Sequence, residues 1–310
     1  MSREFGKVAI LGLGLLGGSV GLALRKRELA RCVAAASRSQ APLQQALADG
    51  AVDEIGDIQS CVEGAELVVL ASPVGAMPAI LSEAAPHLAT GTCVTDLGSV
   101  KGLLADTLPG LLPEGVDYVG SHPMAGGHQR GARHASPDLF EGAACVISAS
   151  DSVPGDAVDR VAHFWISLGA NVVFRDAEDH DQEVAWISHV PHALAFAYAH
   201  AFEKAPASAA ELAGPGFRDF TRIARSDPAM WSEILNTNRK AVAGVLQTVG
   251  ESLSELGRAI EEGDPLVQET ILAQGRRALE TSTSGSVESE HAASRPNARS
   301  GGDNPEIQAD

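Results

Sequence analysis

The sequence predicts an α/β protein in which a parallel-sheet domain covered by helices is followed by an all-helical domain. Short apolar runs alternate with helical stretches through the first half, as in parallel strands joined by crossover helices. The strand-like runs are residues 8–11, 32–36, 67–71, 92–95, 118–120, 144–148 and 172–174. Beyond residue 176 these runs stop and apolar residues follow helical spacing. Helices are predicted there over residues 178–204, 207–212, 217–224, 228–250 and 251–262.

This pattern divides the chain into a sheet domain at residues 1–175 and a helical domain at residues 176–280. The remaining segment, residues 281–310, is rich in serine, glycine, asparagine, proline and acidic residues. Because such a composition offers little apolar surface to bury, we expect a disordered tail.

The formal net charge of −17 argues against nucleic acids and anionic membranes as partners, because both require a basic surface. An anionic ligand must then be bound by a local group of arginines. The longest apolar runs, six or seven residues, are too short to span a bilayer, and the N-terminus shows no secretory-signal pattern. Four widely spaced cysteines without a CxxC pair favour reduced thiols, so we expect a cytoplasmic protein.

A glycine motif follows the first predicted strand and precedes a helix. Gly12 permits a tight turn, Gly14 allows the backbone to approach a pyrophosphate, and Gly17 allows close packing of helix on sheet. The helix N-terminus adds free N–H groups and a positive dipole end for phosphate. A Rossmann-type dinucleotide site is therefore predicted, and a glycine-rich turn without a ligand is the alternative. The residues assigned to this site are Gly12, Gly14, Leu15, Leu16, Gly17, Ser72 and Pro73.

The residues after the second predicted strand bear on the choice of dinucleotide. NAD-specific sites of this type usually carry an acidic residue here, which binds the ribose 2′-hydroxyl. This chain has Ser37, Arg38 and Ser39 instead, and a guanidinium pairs well with a 2′-phosphate. We therefore expect NADP or NAD as cofactor, with a preference for NADP. The alternative is that the arginine belongs to a solvated loop.

Polar segments follow two later strands of the predicted sheet, one carrying Ser99 and Lys101 and the other carrying His122. Ligands of this fold class bind at the carboxyl ends of parallel strands. Hydride transfer from a carbinol requires a base for the hydroxyl proton, and histidine suits this because its ordinary pKa is about 6.5. His122 is therefore a candidate base. A strand-end histidine bonded to the backbone is the alternative.

Three arginines of the helical half, Arg218, Arg222 and Arg225, are spaced i, i+4 and i+7 and share one helix face. Like charges at this spacing repel, so an anion that neutralises them is expected. Bidentate capture of a substrate carboxylate would satisfy this requirement. An ordinary salt-bridge network, involving a carboxylate such as Asp219, is the alternative.

His189 and His192 are three residues apart in the long predicted helix. A zinc site would need further ligands at a recognised spacing, and none is found. Pro191 also disturbs the helical turn between them. We expect no metal, and we expect these histidines to face a ligand or to be packed in the core.

Taken together, these segments resemble the prephenate/arogenate dehydrogenase family. The matching stretches are GLGLLGGS, DLGSVKG, GSHPMAGG, AEDHDQEVAWISHVPHALA and GFRDFTRIARSDPAMW, in family order over roughly residues 7–240. The glycine motif is shared by many families, whereas the histidine and arginine stretches are specific. The resemblance implies a helical C-terminal domain for substrate binding and dimerisation, and hence a homodimer. It implies oxidative decarboxylation of prephenate to 4-hydroxyphenylpyruvate in tyrosine biosynthesis, or of arogenate to tyrosine.

The resemblance also implies roles for individual residues. It implies that His122 is the base that takes the C4-hydroxyl proton. It implies that Ser99 bonds the same hydroxyl or orients the histidine. Arg222 is similar to the residue that binds a substrate carboxylate. Further substrate contacts are implied for Ser188, His189, His192, Arg218 and His128.

The chain departs from the family pattern at His128, where some members carry glutamate. A nearby carboxylate would also suit arogenate, which has an ammonium group where prephenate has a ketone. Residues 126–134 contain no acidic side chain, so prephenate is favoured.

Three other functions remain open at this stage. A β-hydroxyacid dehydrogenase or imine reductase shares the glycine motif but typically depends on a lysine or aspartate of the second domain. A non-catalytic dinucleotide sensor needs no pairing of His122 with Ser99. A methyltransferase usually ends its sheet in a reversed hairpin and lacks an all-helical half.

Overall fold

The computed structural model describes residues 4–126 and 131–292. The strands are β1 (Phe5–Leu11), β2 (Ala30–Ala36), β3 (Glu54–Ile55), β4 (Leu67–Leu70), β5 (Cys93–Asp96), β6 (Asp117–Tyr118), β7 (Gly120–Pro123), β8 (Ala144–Ser148) and β9 (Asn171–Phe174). The helices of the first half are α1 (Leu15–Lys26), α2 (Gln40–Ala48), α3 (Ile58–Val62), α4 (Met77–Ala84), α5 (Gly102–Thr107) and α6 (Gly155–Ser167). Those of the second half are α7 (Ala177–Val184), α8 (Val190–Ala201), α9 (Pro215–Arg222), α10 (Pro228–Thr237), α11 (Arg239–Glu261) and α12 (Pro265–Ala292).

The main sheet has six parallel strands in the order β3-β2-β1-β4-β5-β6. Its central strand β4 reads LVVL, and all four residues are buried. A continuous apolar strand of this kind is covered on both faces, which is what helices on both sides of a parallel sheet provide. Two clusters of buried side chains lie on the two faces. The predicted fold class, a Rossmann-type sheet followed by helices, is confirmed.

The apolar run predicted as one strand at residues 118–120 is divided between two sheets. Tyr118 ends β6 in the main sheet, and Gly120 begins β7 in a second sheet of order β7-β8-β9. Strand β7 pairs antiparallel with β8, and His122 lies opposite Val146. The expectation that the His122 segment leaves the carboxyl end of a parallel strand was therefore wrong. The local sequence pattern indicates that a strand forms, but tertiary packing determines which neighbouring strand it pairs with.

The helix predicted over residues 178–204 contains a change of geometry. Helices α7 and α8 are joined by a π-helical turn, Ala185–His189. Pro191 has no backbone N–H, and its ring collides with the carbonyl four residues earlier in a regular α-helix. A wider turn just before the proline relieves this conflict, and π-turns of this kind are frequent at functional sites.

The helix predicted over residues 228–250 is also interrupted. Helix α10 ends before Asn238, whose backbone has φ −99° and ψ 31°, and α11 begins at the next residue. The Asn238 side chain donates to the carbonyl oxygen of Asp181 at 2.7 Å. A polar contact to another helix therefore accompanies the break.

The chain divides into two compact units, Met1–Leu246 and Gln247–Asp310. The first contains both sheets and α1 to α10; within it, α7 is hydrogen-bonded to the start of α5 through Asp181. The second contains most of α11 and all of α12. Helix α12 continues to Ala292, so the structure differs from the prediction of a tail that starts at residue 281. No helix within the described ranges combines the length and apolar character needed to cross a membrane.

Candidate active site

The glycine turn between β1 and α1 has the geometry that a dinucleotide requires. Gly12 has a φ of 115°, and a Cβ there would lie 2.6 Å from the Ala71 carbonyl oxygen. A Cβ on Gly17 would overlap the carbonyl oxygen of Gly12, so the close approach of α1 depends on glycine. Nothing lies within 4 Å of the Cβ position of Gly14, which leaves this backbone open to a ligand. The residues therefore fit a pyrophosphate at the N-terminus of α1.

The other residues predicted to bind the cofactor lie at the same edge of the sheet. Strands β2 and β4 flank β1 in parallel, so the segments that follow all three strands meet there. Arg38 and Ser39 are exposed beyond β2, and Ser37 is half-buried. Leu15, Leu16 and Ser72 are half-buried and Pro73 is exposed. After β4, the N–H of Gly75 donates to Oε1 of Glu233 at 2.5 Å, which ties α10 to this edge.

Asp96, the last residue of β5, is at the centre of a buried polar cluster. Its carboxylate accepts hydrogen bonds from Lys101 Nζ, from the Tyr118 hydroxyl at 2.7 Å and from the Ser121 N–H at 3.3 Å. Lys101 Nζ also donates to the carbonyl oxygen of Ser121 at 2.7 Å. A buried ammonium is tolerated because a carboxylate and a carbonyl receive its protons. The cluster therefore joins the end of β5 to the strand that carries His122.

The imidazole of His122 is hydrogen-bonded to a second buried imidazole. Nδ1 of His122 is 2.8 Å from Nε2 of His180, and Nδ1 of His180 is 2.8 Å from Oδ1 of Asp181. The two oxygens of Asp181 also accept the backbone N–H groups of Lys101 at 2.8 Å and Gly102 at 2.9 Å. A chain of two imidazoles and a carboxylate, anchored at the start of α5, therefore ends at the candidate base.

A second group of side chains lies along the π-helical turn and α8. Nδ1 of His189 is 3.1 Å from the amide nitrogen of Asn238, which is a donor, so the proton of His189 is on Nε2. That buried Nε2 makes no hydrogen bond of full geometry among the described residues, but the Ser99 backbone lies near enough to raise the pKa of the ring. His192 stacks on Trp231 with ring centroids 3.7 Å apart and 19° between the planes, and its Nδ1 is 2.8 Å from the Ser188 carbonyl oxygen.

Burial lowers the pKa of three histidines in this region. It lowers the pKa of His122 well below the ordinary value, and the neighbouring His180, Lys101 and His189 side chains add to the effect. It also lowers the pKa of His189 to about 4. Burial lowers the pKa of His192, and the charge of Arg222 contributes. A neutral imidazole at position 122 is in the state that a base requires.

The three arginines predicted to share a helix face are all exposed. Arg218 and Arg222 lie on α9, and Arg225 lies in the short 3-10 helix that follows. Arg218 donates to the carbonyl oxygen of Ala213 at 3.0 Å. Within residues 4–126 and 131–292, none of the three forms an ion pair with a carboxylate, so the salt-bridge network considered from the sequence is not observed there. The charge of Arg222 contributes to lowering the pKa of His192.

The structure brings the predicted site residues together in part. His189 contributes to lowering the pKa of His122, His192 to lowering that of His189, and Arg222 to lowering that of His192. Ser99 is half-buried, and across the described residues it makes no hydrogen bond to His122. His128 lies outside the described residues. Across the described residues, no cluster of three or more metal-binding side chains is found.

Sequence reasoning assigned no role to several residues of this site. These are Asp96, Tyr118, His180, Asp181, Trp231, Glu233 and Asn238. The acidic and histidine-rich stretch before the π-helical turn could have indicated that His180 and Asp181 are paired, because charged side chains are seldom buried without a partner.

Comparisons with known proteins show which family this chain resembles. Residues 20–174 match the family model described as prephenate dehydrogenase, nucleotide-binding domain. Residues 176–272 match the model described as prephenate dehydrogenase, dimerization domain. The chain is 32% identical to a cyclohexadienyl dehydrogenase of Zymomonas mobilis, over 89% of this chain and 97% of that protein. It is 31% identical to a prephenate dehydrogenase of Bacillus subtilis, over 85% of this chain and 72% of that protein.

Solved structures that are similar to this chain include a prephenate dehydrogenase and an arogenate dehydrogenase. A prephenate dehydrogenase from Aquifex aeolicus, in complex with hydroxyphenyl propionate and NAD+, has a TM-score of 0.83 at 28% identity, with 91% of this chain and 100% of that chain covered. An arogenate dehydrogenase from Synechocystis has a TM-score of 0.76 at 28% identity, with 89% and 99% covered.

Proposed function

Because the chain belongs to the prephenate dehydrogenase family, we propose that it oxidatively decarboxylates prephenate to 4-hydroxyphenylpyruvate, the reaction of tyrosine biosynthesis. The protein is an oxidoreductase with a nicotinamide dinucleotide as cofactor. The observation that supports the reaction best is the buried, neutral His122, whose Nδ1 is engaged by His180.

The residues of this chain supply a base for the substrate hydroxyl and a positive charge that binds a substrate carboxylate. His122 takes the proton of the substrate C4 hydroxyl, and Ser99 contacts the same hydroxyl. Arg222 binds a substrate carboxylate, and His189 offers its Nε2–H as a further donor. Arg218, Ser188, His192 and His128 complete the proposed substrate contacts. The bound nicotinamide supplies the hydride acceptor, and loss of CO₂ leaves an aromatic ring, so the protein mainly provides orientation.

We propose NADP as the preferred cofactor. The support is the Ser37-Arg38-Ser39 segment, which lies next to the glycine turn and lacks the acidic residue that binds a ribose 2′-hydroxyl. The exposed Arg38 guanidinium is available for a 2′-phosphate.

Arogenate is the alternative substrate, because one of the similar structures is an arogenate dehydrogenase. Prephenate is favoured because residues 126–134 provide no carboxylate for the ammonium group of arogenate.

We further propose a homodimer, a cytoplasmic location and separate domains at residues 1–175 and 176–280. The dimer is supported by the description of the second family model and by exposed apolar side chains within its range, such as Trp186 and Ile187. Sedimentation velocity tests the oligomeric state.

A two-by-two assay tests the reaction. Prephenate and arogenate are each incubated with NAD and with NADP, and the absorbance of reduced nicotinamide is followed. We expect the highest kcat/KM with prephenate and NADP, and loss of turnover in His122→Asn with cofactor binding retained. Absence of turnover in all four combinations contradicts the proposed function, and a preference for arogenate replaces prephenate by the alternative.

A further inference from the structure

Asp181 determines which atoms donate and which accept in the hydrogen-bond chain that leads to His122. The two oxygens of Asp181 accept the peptide N–H groups of Lys101 and Gly102 at 2.8 and 2.9 Å. Peptide nitrogens only donate, and two such donors, one on each oxygen, favour an acceptor-only carboxylate. The third donor is therefore Nδ1–H of His180, 2.8 Å from Oδ1 of Asp181.

This assignment determines the tautomer of the base. A neutral imidazole carries one proton, so His180 with Nδ1–H presents the lone pair of Nε2. His122 must then donate Nδ1–H across the 2.8 Å contact, and its own Nε2 is left unprotonated. Among the residues that the structure describes, no hydrogen bond engages Nε2 of His122. That atom is therefore the one available to a substrate hydroxyl.

We propose that His180 and Asp181 are positioning residues that hold His122 in the tautomer with a bare Nε2. This proposal rests on the proposed function of His122 as a base. When the O–H bond of the substrate breaks and the N–H bond at Nε2 forms, the resulting imidazolium donates Nδ1–H to His180. The negative charge of Asp181 lies at the far end of the same chain and stabilises that cation.

Other charged groups around His122 do not replace this function. Lys101 contributes positive potential, His189 carries no negative charge, and the Asp96 carboxylate is already occupied by Lys101, Tyr118 and Ser121. Among the described residues, Asp181 is the carboxylate connected to the His122 ring through hydrogen bonds.

The tautomer itself is tested without substrate or cofactor. Full-length protein with ¹⁵N-labelled histidine is examined by NMR, and the His122 signals are assigned by their loss in His122→Asn. We expect a protonated Nδ1 and a bare Nε2 in the native protein, and a different pattern in Asp181→Asn, whose amide N–H₂ can face His180. The reverse tautomer in the native protein overturns the proposal, whatever the activity assays show.

Kinetics tests the consequence. We expect Asp181→Asn to lower kcat by roughly two to four orders of magnitude, with the KM values for substrate and cofactor changed by less than about threefold. The matched control Asp179→Asn alters an exposed carboxylate on the same helix and should retain native kcat. His180→Gln keeps an acceptor for Nδ1–H of His122 and should be at least about tenfold faster than His180→Leu. Equal loss in these two variants, with native thermal midpoints, would contradict the positioning role.

Discussion

Lys101 and Asp96 form an ion pair whose side chains are 1% and 0% exposed, and Lys101 Nζ also donates to the Ser121 carbonyl oxygen on the strand that carries His122. Both charges are therefore held in a medium where neither is tolerated alone.

Removal of one partner should destabilise the fold strongly. We expect Lys101→Met to lower the free energy of unfolding by about 3–5 kcal/mol, because the Asp96 carboxylate stays buried without its cation. The control is Lys26→Met, which breaks the exposed pair with Asp138 and should cost about 0–1 kcal/mol. Urea titration of both variants measures the difference, and similar midpoints for the two would show that the buried pair is not structurally important.

Two glycines of the cofactor turn should respond differently to alanine. Gly14→Ala meets no neighbour, so its thermal midpoint should stay near the native value while the Kd for NADP rises by about tenfold or more. Gly17→Ala places a methyl group on the Gly12 carbonyl and should lower stability as well. Calorimetry and cofactor titration distinguish the two effects. Unchanged cofactor affinity in Gly14→Ala contradicts the proposed pyrophosphate site.

Arg222→Ala should impair substrate binding and leave cofactor binding intact. Loss of a charged hydrogen bond to a carboxylate costs about 1.5–3 kcal/mol, so KM for prephenate should rise by roughly ten- to a hundredfold. Arg276→Ala, which removes an exposed arginine paired with Glu280 on α12, serves as the control. An equal loss of affinity for both ligands would argue against carboxylate binding by Arg222.

Arg38→Ala should change the choice of cofactor. We expect kcat/KM with NADP to fall by about tenfold or more, because a charge-assisted pair with the 2′-phosphate is lost. The value with NAD should be unchanged, and Arg31→Ala at the other end of β2 should alter neither. A parallel decrease with both dinucleotides would assign Arg38 to the fold and not to cofactor selection.

His189 should make stability depend on pH below neutrality. Its folded pKa of about 4 lies below the ordinary value of 6.5, so between these pH values the unfolded chain binds a proton that the folded chain does not. Stability from this group is complete above about pH 6.5 and decreases by about 3 kcal/mol as the pH falls to about 4. Urea titrations at several pH values in this range give the free energy of unfolding as a function of pH. This free energy should decrease less steeply with falling pH in His189→Gln than in the native protein. An identical slope would mean that His189 is protonated in the native protein.

The sequence predicted the sheet and the cofactor turn because both depend on local features. Buried parallel strands are visible as apolar runs, and Gly12 and Gly17 are required by their own backbone geometry and immediate neighbours. The assignment of the histidine and arginine stretches to substrate binding stays a prediction.

The hydrogen-bond partners of His122 could not be predicted from the sequence in the same way. His122 and His180 are 58 residues apart, and their contact exists only because α7 packs against α5. Ser99 was expected to orient the histidine, whereas the observed partner of its ring is His180. Likewise, the strand of His122 leaves the main sheet after Tyr118, and no spacing within that strand distinguishes pairing with β6 from pairing with β8.

The π-helical turn at Ala185–His189 determines how two parts of the site are oriented about a common helical axis. His180 and Asp181 precede it, and His192 follows it. In a regular helix each residue advances the direction of its side chain by about 100°, whereas the wider turn takes up one additional residue, so His192 lies about 100° from the direction that the same count of residues would give in a regular helix. A regular helix with the same number of residues would turn His192 away from Trp231, and deletion of a single residue between positions 185 and 188 should restore a regular helix that keeps this contact. The direction of His192 relative to His180 and Asp181 therefore depends on the number of residues in this turn.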